Sequence, residues 1–274
     1  MEFRLQYLVF LLALSVFSSG LQASGNDPKK ASSAIDIPAQ DPPLVDSLLQ
    51  ITESDAADSI VAGAFLELAS HFLKLNSARS FYYSQKAHDL SKKSLETRRY
   101  TRHEDSTVFL SIMAAALNRM GFTAKRRGEI PQSLDWHIQA AELSEQIGDS
   151  THLSSALYNI GSLYFQLGEI EKTVENMERS LAIRKAMRDT ALIASSLHAT
   201  GSIYSRLNDY QTAQAYFEKA FDYAQQTGFE RVAALSQYSL GTNFAKQGRF
   251  KEAIAYYNKS AEMFRKLRDH AMLV

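Results

Sequence analysis

Apolar and small residues recur along this chain in two interlocked rhythms. The long one is 40 residues, which separates Gly121, Gly161, Gly201 and Gly241. Five further columns keep register with these glycines. The first is Gly128, Gly168, Asn208 and Gly248, followed by the bulky Ile130, Ile170, Tyr210 and Phe250. Then come the small Ser133, Thr173, Ala213 and Ala253, the large His137, Met177, Phe217 and Tyr257, and the small Ala140, Ser180, Ala220 and Ser260. The short rhythm is helical: Ile254, Tyr257, Ala261, Phe264 and Leu267 step by three or four residues. No stretch alternates with the period of two that marks a strand.

Each column has a physical reason. The leading glycine fits where two helices cross closely. Three residues on, Ala124, Tyr164, Tyr204 and Phe244 fill the space between helices. The second column suits a left-handed residue after a helix, for which glycine is cheapest and asparagine the usual substitute. Pro131 falls in the first turn of a second helix, where its missing amide costs nothing. The second helices run to Asp149, Asp189 and Asp269, with Phe229 in the third copy, and an aspartate there caps the next helix. The pattern therefore predicts an all-α chain of helical hairpins, with units at about 111–150, 151–190, 191–230 and 231–270.

Earlier in the chain a degenerate unit is legible. Ala69 stands at the glycine position, Phe72 at the aromatic, Asn76 at the C-cap, and Tyr82, Tyr83 and Ala87 suit a second helix. The extra residues before Gly121 are expected in the polar stretch Lys92 to Ser106, with Arg98, Arg99, Arg102 and His103. Leu44, Leu48, Leu49 and Ile51 suggest a short preceding helix, within a helical region 44–106.

Leu157, Ile160, Gly161, Tyr164, Gly168, Ile170, Thr173, Met177 and Ser180 resemble the tetratricopeptide-repeat pattern. Gly201, Tyr204, Tyr210, Ala213, Phe217 and Ala220 resemble it more closely, as do Gly241, Phe244, Gly248, Phe250, Ala253 and Tyr257. That family's usual period is about 34 residues; the longer one here resembles animal polarity scaffolds and exported bacterial sensor arrays. The resemblance implies a right-handed α-solenoid of stacked antiparallel hairpins with no catalytic role and no cofactor. It also implies that first helices line the face receiving a protein or peptide. By that geometry the groove residues are Asn118, Tyr158, His198 and Tyr238; Phe122; Lys125 and Phe165; and Arg126, Gln166, Arg206 and Lys246. Three cations in the last column suggest an acidic partner. The carboxylate clamp of chaperone-binding relatives is represented only by Asn159.

The N-terminus reads as an address. Arg4 precedes the apolar run Leu8 to Phe17, and small residues follow, so 1–23 is expected to be a cleaved signal peptide. A membrane span needs about 20 apolar residues, and this run is too short for a stable one. Ser24 to Pro43 carries Pro28, Pro38, Pro42 and Pro43 and is expected to be a flexible linker. Export places the mature chain in the periplasm or outside the cell. With no cysteine, lipid attachment, disulfides and thiolate metal sites are excluded.

Formal charge is zero, from 30 basic and 30 acidic residues, so no global field draws the chain to nucleic acid. No phosphate loop, metalloprotease or nucleophile-elbow motif occurs. His103, Glu104 and Asp105 form the densest ligand cluster, in an expected flexible turn. His137 and Trp136 sit in packing columns, and the glycosylation-like Asn258-Lys259-Ser260 lies in an expected helix. Asp269 to Val274 repeats the opening of a further first helix, leaving the apolar side of the helix before it for self-association. A truncated gene or a fragment is the alternative. In bacterial proteins of this kind such arrays precede a histidine kinase or transcription regulator, so an extracytoplasmic sensory portion is the second functional reading.

Overall fold

The computed structural model describes residues 43–97 and 103–267. The expected signal peptide, the linker before Pro43, Arg98, Arg99, Arg102 and the segment 269–274 lie outside the described residues. The described residues form eleven helices and no strand, and the chain divides into two compact units between Ile147 and Gly148.

The first unit holds α1 (Pro43–Thr52), α2 (Asp58–Leu75), α3 (Ser77–Glu96), α4 (His103–Arg126) and α5 (Ile130–Gln146). α1 lays Val45 and Leu48 against Ala64, Leu68 and Phe72 of α2. Leu44, expected on that apolar side, is exposed, because one residue of helical rotation turns it away and gives its place to Val45. α2 and α3 form the degenerate hairpin, and α4 with α5 the first regular one. Asn76 ends α2, but in extended backbone at φ −149° rather than left-handed. Its side chain accepts the Arg79 N–H at 3.0 Å, so one residue both closes α2 and caps α3. The extra residues of this region lengthen helices: α3 has 20 residues and α4 has 24, against 17 in each later helix. His103, Glu104 and Asp105 open α4 rather than forming a loop; their side chains lie outside the described residues. The stretch 106–126 of α4 is long and apolar enough to cross a bilayer, yet over half of its apolar window is buried inside the unit.

The second unit is three hairpins: α6 (Ser150–Gln166) with α7 (Ile170–Ala186), α8 (Thr190–Arg206) with α9 (Tyr210–Gln226), and α10 (Glu230–Lys246) with α11 (Phe250–Lys266). Each helix has 17 residues and each turn three, which together make the 40-residue period. Neighbouring hairpins pack through α7 on α8 and α9 on α10. Each unit is thus a stack of antiparallel helical hairpins, the architecture of an all-α solenoid.

The turns explain the second column. Gly128, Gly168, Asn208 and Gly248 all have positive φ. The next residue then donates its N–H back to the first helix: Glu129 to Ala124 O, Glu169 to Tyr164 O, Asp209 to Tyr204 O and Arg249 to Phe244 O, at 2.9–3.0 Å. That is the closing bond of a Schellman turn. A second left-handed column follows the second helices, at Gly148, Arg188 and Gly228. The next helix then begins on a side-chain cap, with Asp149 accepting from His152 N–H and Asp189 from Leu192 N–H. Asp209 caps α9 in the same way, through Thr212 N–H.

Packing explains the leading glycines. A Cβ on Gly121 would meet the His137 ring at 2.6 Å, and one on Gly201 or Gly241 would meet Phe217 or Tyr257 at 2.8 and 2.7 Å. At Gly161 the neighbour is flexible Met177, at 3.0 Å. Small hydroxyls then tie helix to helix: Ser133 donates to Gly121 O, Ser180 to Ser154 O and Ser260 to Ala234 O. Buried Ser260 is thereby committed to packing inside α11.

Two substitutions separate these effects. Gly201→Ala should lose roughly 1–3 kcal/mol, because Phe217 is rigid and fully buried. Arg188→Gly should gain up to about 1 kcal/mol by relieving left-handed strain at φ 56°. Denaturant unfolding of both variants checks the signs.

Candidate functional site

The expected groove columns divide by unit. In the first unit Asn118 is buried rather than presented to a partner. Its Oδ1 lies 2.9 Å from His137 Nδ1. Phe122 and Lys125 are half-buried, and burial lowers the Lys125 ammonium below its ordinary value. Arg126 is exposed but turns back, donating from Nη1 to Leu73 O at the end of α2, 2.9 Å away. Trp136 packs against Phe81 with ring centroids 5.5 Å apart.

His137 is fully buried at 0% exposure. The Asn118 carbonyl places its proton on Nδ1, and Nε2 has no hydrogen-bond partner. Desolvation, with help from the Lys125 charge, pushes its pKa down to about 3. It is a neutral core residue.

In the second unit, α6, α8 and α10 present Tyr158, His198 and Tyr238 at matching positions. Tyr158 and His198 are half-buried, and Tyr238 is 47% exposed, with its ring 5.5 Å from that of Tyr257. His198 Nε2 lies 2.9 Å from Ser239 Oγ, which joins α8 to α10. Burial lowers the His198 pKa, partly offset by a hydrogen bond to the Leu235 backbone. The Arg206 guanidinium sits over the Phe165 ring at 5.3 Å. Lys246 Nζ donates to Ser205 O at 3.2 Å. Gln166 is exposed and Asn159 half-buried.

The basic column thus has a shared geometry. Arg126, Arg206 and Lys246 each reach back to the last turn of the preceding first helix within their own unit. For Arg126 and Lys246 the target is a backbone carbonyl at a helix C-terminus, where a cation is favoured.

The tetratricopeptide-repeat model matches residues 112–186, 153–226 and 192–266, more than half of the 274-residue chain. The chain belongs to the tetratricopeptide-repeat family. No curated protein sequence matches it. Its fold is similar to that of BtubC (BKLC) from P. vanneervenii, with TM-score 0.61 and 17% identity, covering 82% of this chain and 88% of that one. The apo form of RapI is similar at TM-score 0.61 and 13% identity, over 96% and 98%. A Pyrococcus horikoshii signal-transduction ATPase of the STAND type with a tetratricopeptide-repeat sensor is similar at TM-score 0.62 and 18% identity, over 82% of this chain and 32% of that one. At these identities the likeness is one of fold.

In this tetratricopeptide-repeat chain the first-helix face of the second unit is therefore aromatic, hydroxylated and edged with cations. Two residues absent from the expected columns are exposed apolar side chains beyond the ends of first helices. Leu167 and Leu207 follow the ends of α6 and α8 and are exposed at 52% and 36%. They had no sequence signal, because leucine is ordinary in a helix and only position exposes it. Arg184 is the other unexpected residue; it is buried in the last turn of α7.

His137 makes stability depend on pH. Its folded pKa lies below the unfolded value, so the unfolded chain binds more protons as pH falls from about 6.5 toward 3, and stability drops in that window. Between pH 7.5 and 5 this residue should account for a loss of roughly 2 kcal/mol. His137→Met, which copies Met177 of the next hairpin, should shrink the urea-measured pH loss by about that amount.

Proposed function

We propose that this protein is a non-enzymatic binding scaffold acting outside the cytoplasm, and that the first-helix face of its second unit holds an extended or helical segment of an acidic partner. The exposed Tyr238, in line with Tyr158 and His198, carries the reading. A rigid aromatic side chain that a partner can bury supplies binding energy at low entropic cost. A half-exposed tyrosine on the face built by successive first helices is placed for that role. Arg206 and Lys246 are both exposed despite their contacts with the preceding helix, so they keep donors for an acidic partner. Exposed ion pairs contribute only about 0.2–1 kcal/mol each, so they select the partner more than they hold it. A Rap protein with the same fold was solved in complex with a competence and sporulation factor. Export rests on the sequence signal in residues 1–23.

A photo-crosslinker at Tyr238 should capture a partner that one at Lys219, on the outer helix α9, does not. Tyr238→Ala should weaken the captured complex at least tenfold, as expected for an aromatic anchor. Equal capture at both sites would reject the face. A cytoplasmic chain with its first 23 residues intact would reject export.

A further inference from the structure

Arg184 breaks the repeat. The same position in the other hairpins is Ser144, Ala224 and Phe264, so the fold does not call for a charge there. Yet its side chain lies in the interior of the second unit, at 4% exposure. Nη1 donates to Ser196 Oγ of α8, and the guanidinium lies 4.9 Å from the ring centre of Tyr158. Nε has no hydrogen-bond partner. No carboxylate among the described residues lies within ion-pair distance. Asp189 acts on it at longer range, while its own carboxylate accepts the Leu192 N–H that begins α8.

A guanidinium has five N–H donors, and only one is hydrogen-bonded here. The Nε–Nη2 edge, with its two parallel N–H groups, is the edge that grips a carboxylate in bidentate fashion. A buried charge is costly when its counter-charge is missing. Burial is also the largest influence on Arg184, and it acts against the charged form. Arginine nevertheless stays protonated in proteins, so this cost cannot be shed by losing the proton. Above it stands Tyr158, half-buried on the first-helix face, its phenol held neutral by burial against the opposing pull of the Arg184 charge. The guanidinium thus lies against the ring of a half-buried tyrosine on that face, with Nε buried and without a hydrogen-bond partner.

We infer that Arg184 is an anion-binding subsite of this face: a carboxylate of the bound partner enters beside the Tyr158 ring and is held by the Nε–Nη2 edge. This deepens the reading of the face as a partner site and rests on it. The subsite differs from the expected groove residues in kind. It stands on a second helix, under the face rather than on it, and it occurs once.

The test uses small acids as probes, so it does not need the partner. The full mature chain is titrated with N-acetyl-aspartate α-amide, N-acetyl-alanine and, as neutral control, N-acetyl-alanine amide. Ionic strength is held constant, and concentrations run to the order of 100 mM, because one charge-assisted pair binds weakly. The Arg184 Nε–Hε resonance should move saturably with an acid and stay in place with the amide. Response to the aspartate derivative alone assigns a side-chain carboxylate of the partner; response to N-acetyl-alanine alone assigns a chain terminus. Each acid that moves the resonance should raise Tm in the parent protein and leave it unchanged in Arg184→Met. Arg184→Lys, which keeps charge but loses the fork, should weaken the response at least tenfold. Arg184→Met should itself melt at or above the parent temperature, because it removes an uncompensated charge. An Arg184 resonance unmoved by either acid would overturn the subsite, and so would an equal Tm gain in Arg184→Met. Should Arg184→Met fail to fold, the resonance in the parent still decides. If acids move Arg184 while Tyr238→Ala leaves partner affinity intact, the subsite stands and the wider face falls; the reverse result keeps the face and removes the subsite.

Discussion

Everything regular in this protein depends on how closely two helices cross at a glycine. At Gly121, Gly201 and Gly241 the space a Cβ would take is filled by a ring from the partner helix. That contact fixes the separation of the pair, and the separation fixes which residues elsewhere must be small. Ser133, Ser180 and Ser260 then come close enough to donate hydroxyl hydrogen bonds to first-helix carbonyls. Close packing of this kind tolerates little change in volume. The glycine and its ring therefore work as one feature, and the 40-residue spacing shows the feature being repeated. Where the glycine is absent, as in the degenerate α2–α3 pair with Ala69, the turn and the helix lengths depart from the pattern as well; at Gly161 the flexible Met177 takes the place of the ring and the pattern holds.

This explains what could be read from the sequence and what could not. Columns record backbone demands and core contacts, because both recur in every copy. The left-handed Gly128, Gly168, Asn208 and Gly248 were legible for that reason, as were the aspartate caps. The second left-handed column was masked, because arginine stands at Arg188 between Gly148 and Gly228. The paired ends of long side chains were not legible at all. Arg126 and Lys246 stand in the basic column that the spacing picks out, yet the structure has them brace the helix before them. Nothing in the spacing of a flexible cation reveals which carbonyl it will choose. Asn118 shows the same gap: its column predicts a surface, while its pairing with His137 makes it core.

Positions that obey the columns build the scaffold, and many chains of this family can share them. What distinguishes this chain must lie in residues that the columns leave free. Tyr238 is one kind, an aromatic left half outside at a position where the fold accepts many side chains. Leu167 and Leu207 are another, apolar residues exposed just after the ends of first helices. Each leaves a large part of its apolar surface uncovered, which packing within the chain does not use.

Two of the deeply buried basic groups, His137 and Arg184, sharpen that point. Both are buried, and both suffer a desolvation penalty. Histidine escapes it by giving up its proton, and the neutral ring then fills the space beside Gly121 as a hydrophobe would. Its cost at neutral pH is one unpaired nitrogen. Arginine has no such escape, since its proton is held far above any physiological pH. A ring face and one hydroxyl are weak compensation for a full charge. A methionine or leucine would fill the same space without the penalty, as Phe264 does in the last hairpin. A residue that the scaffold would be better without, packed against the half-buried Tyr158, is therefore better explained by the anion subsite proposed for it than by what it holds.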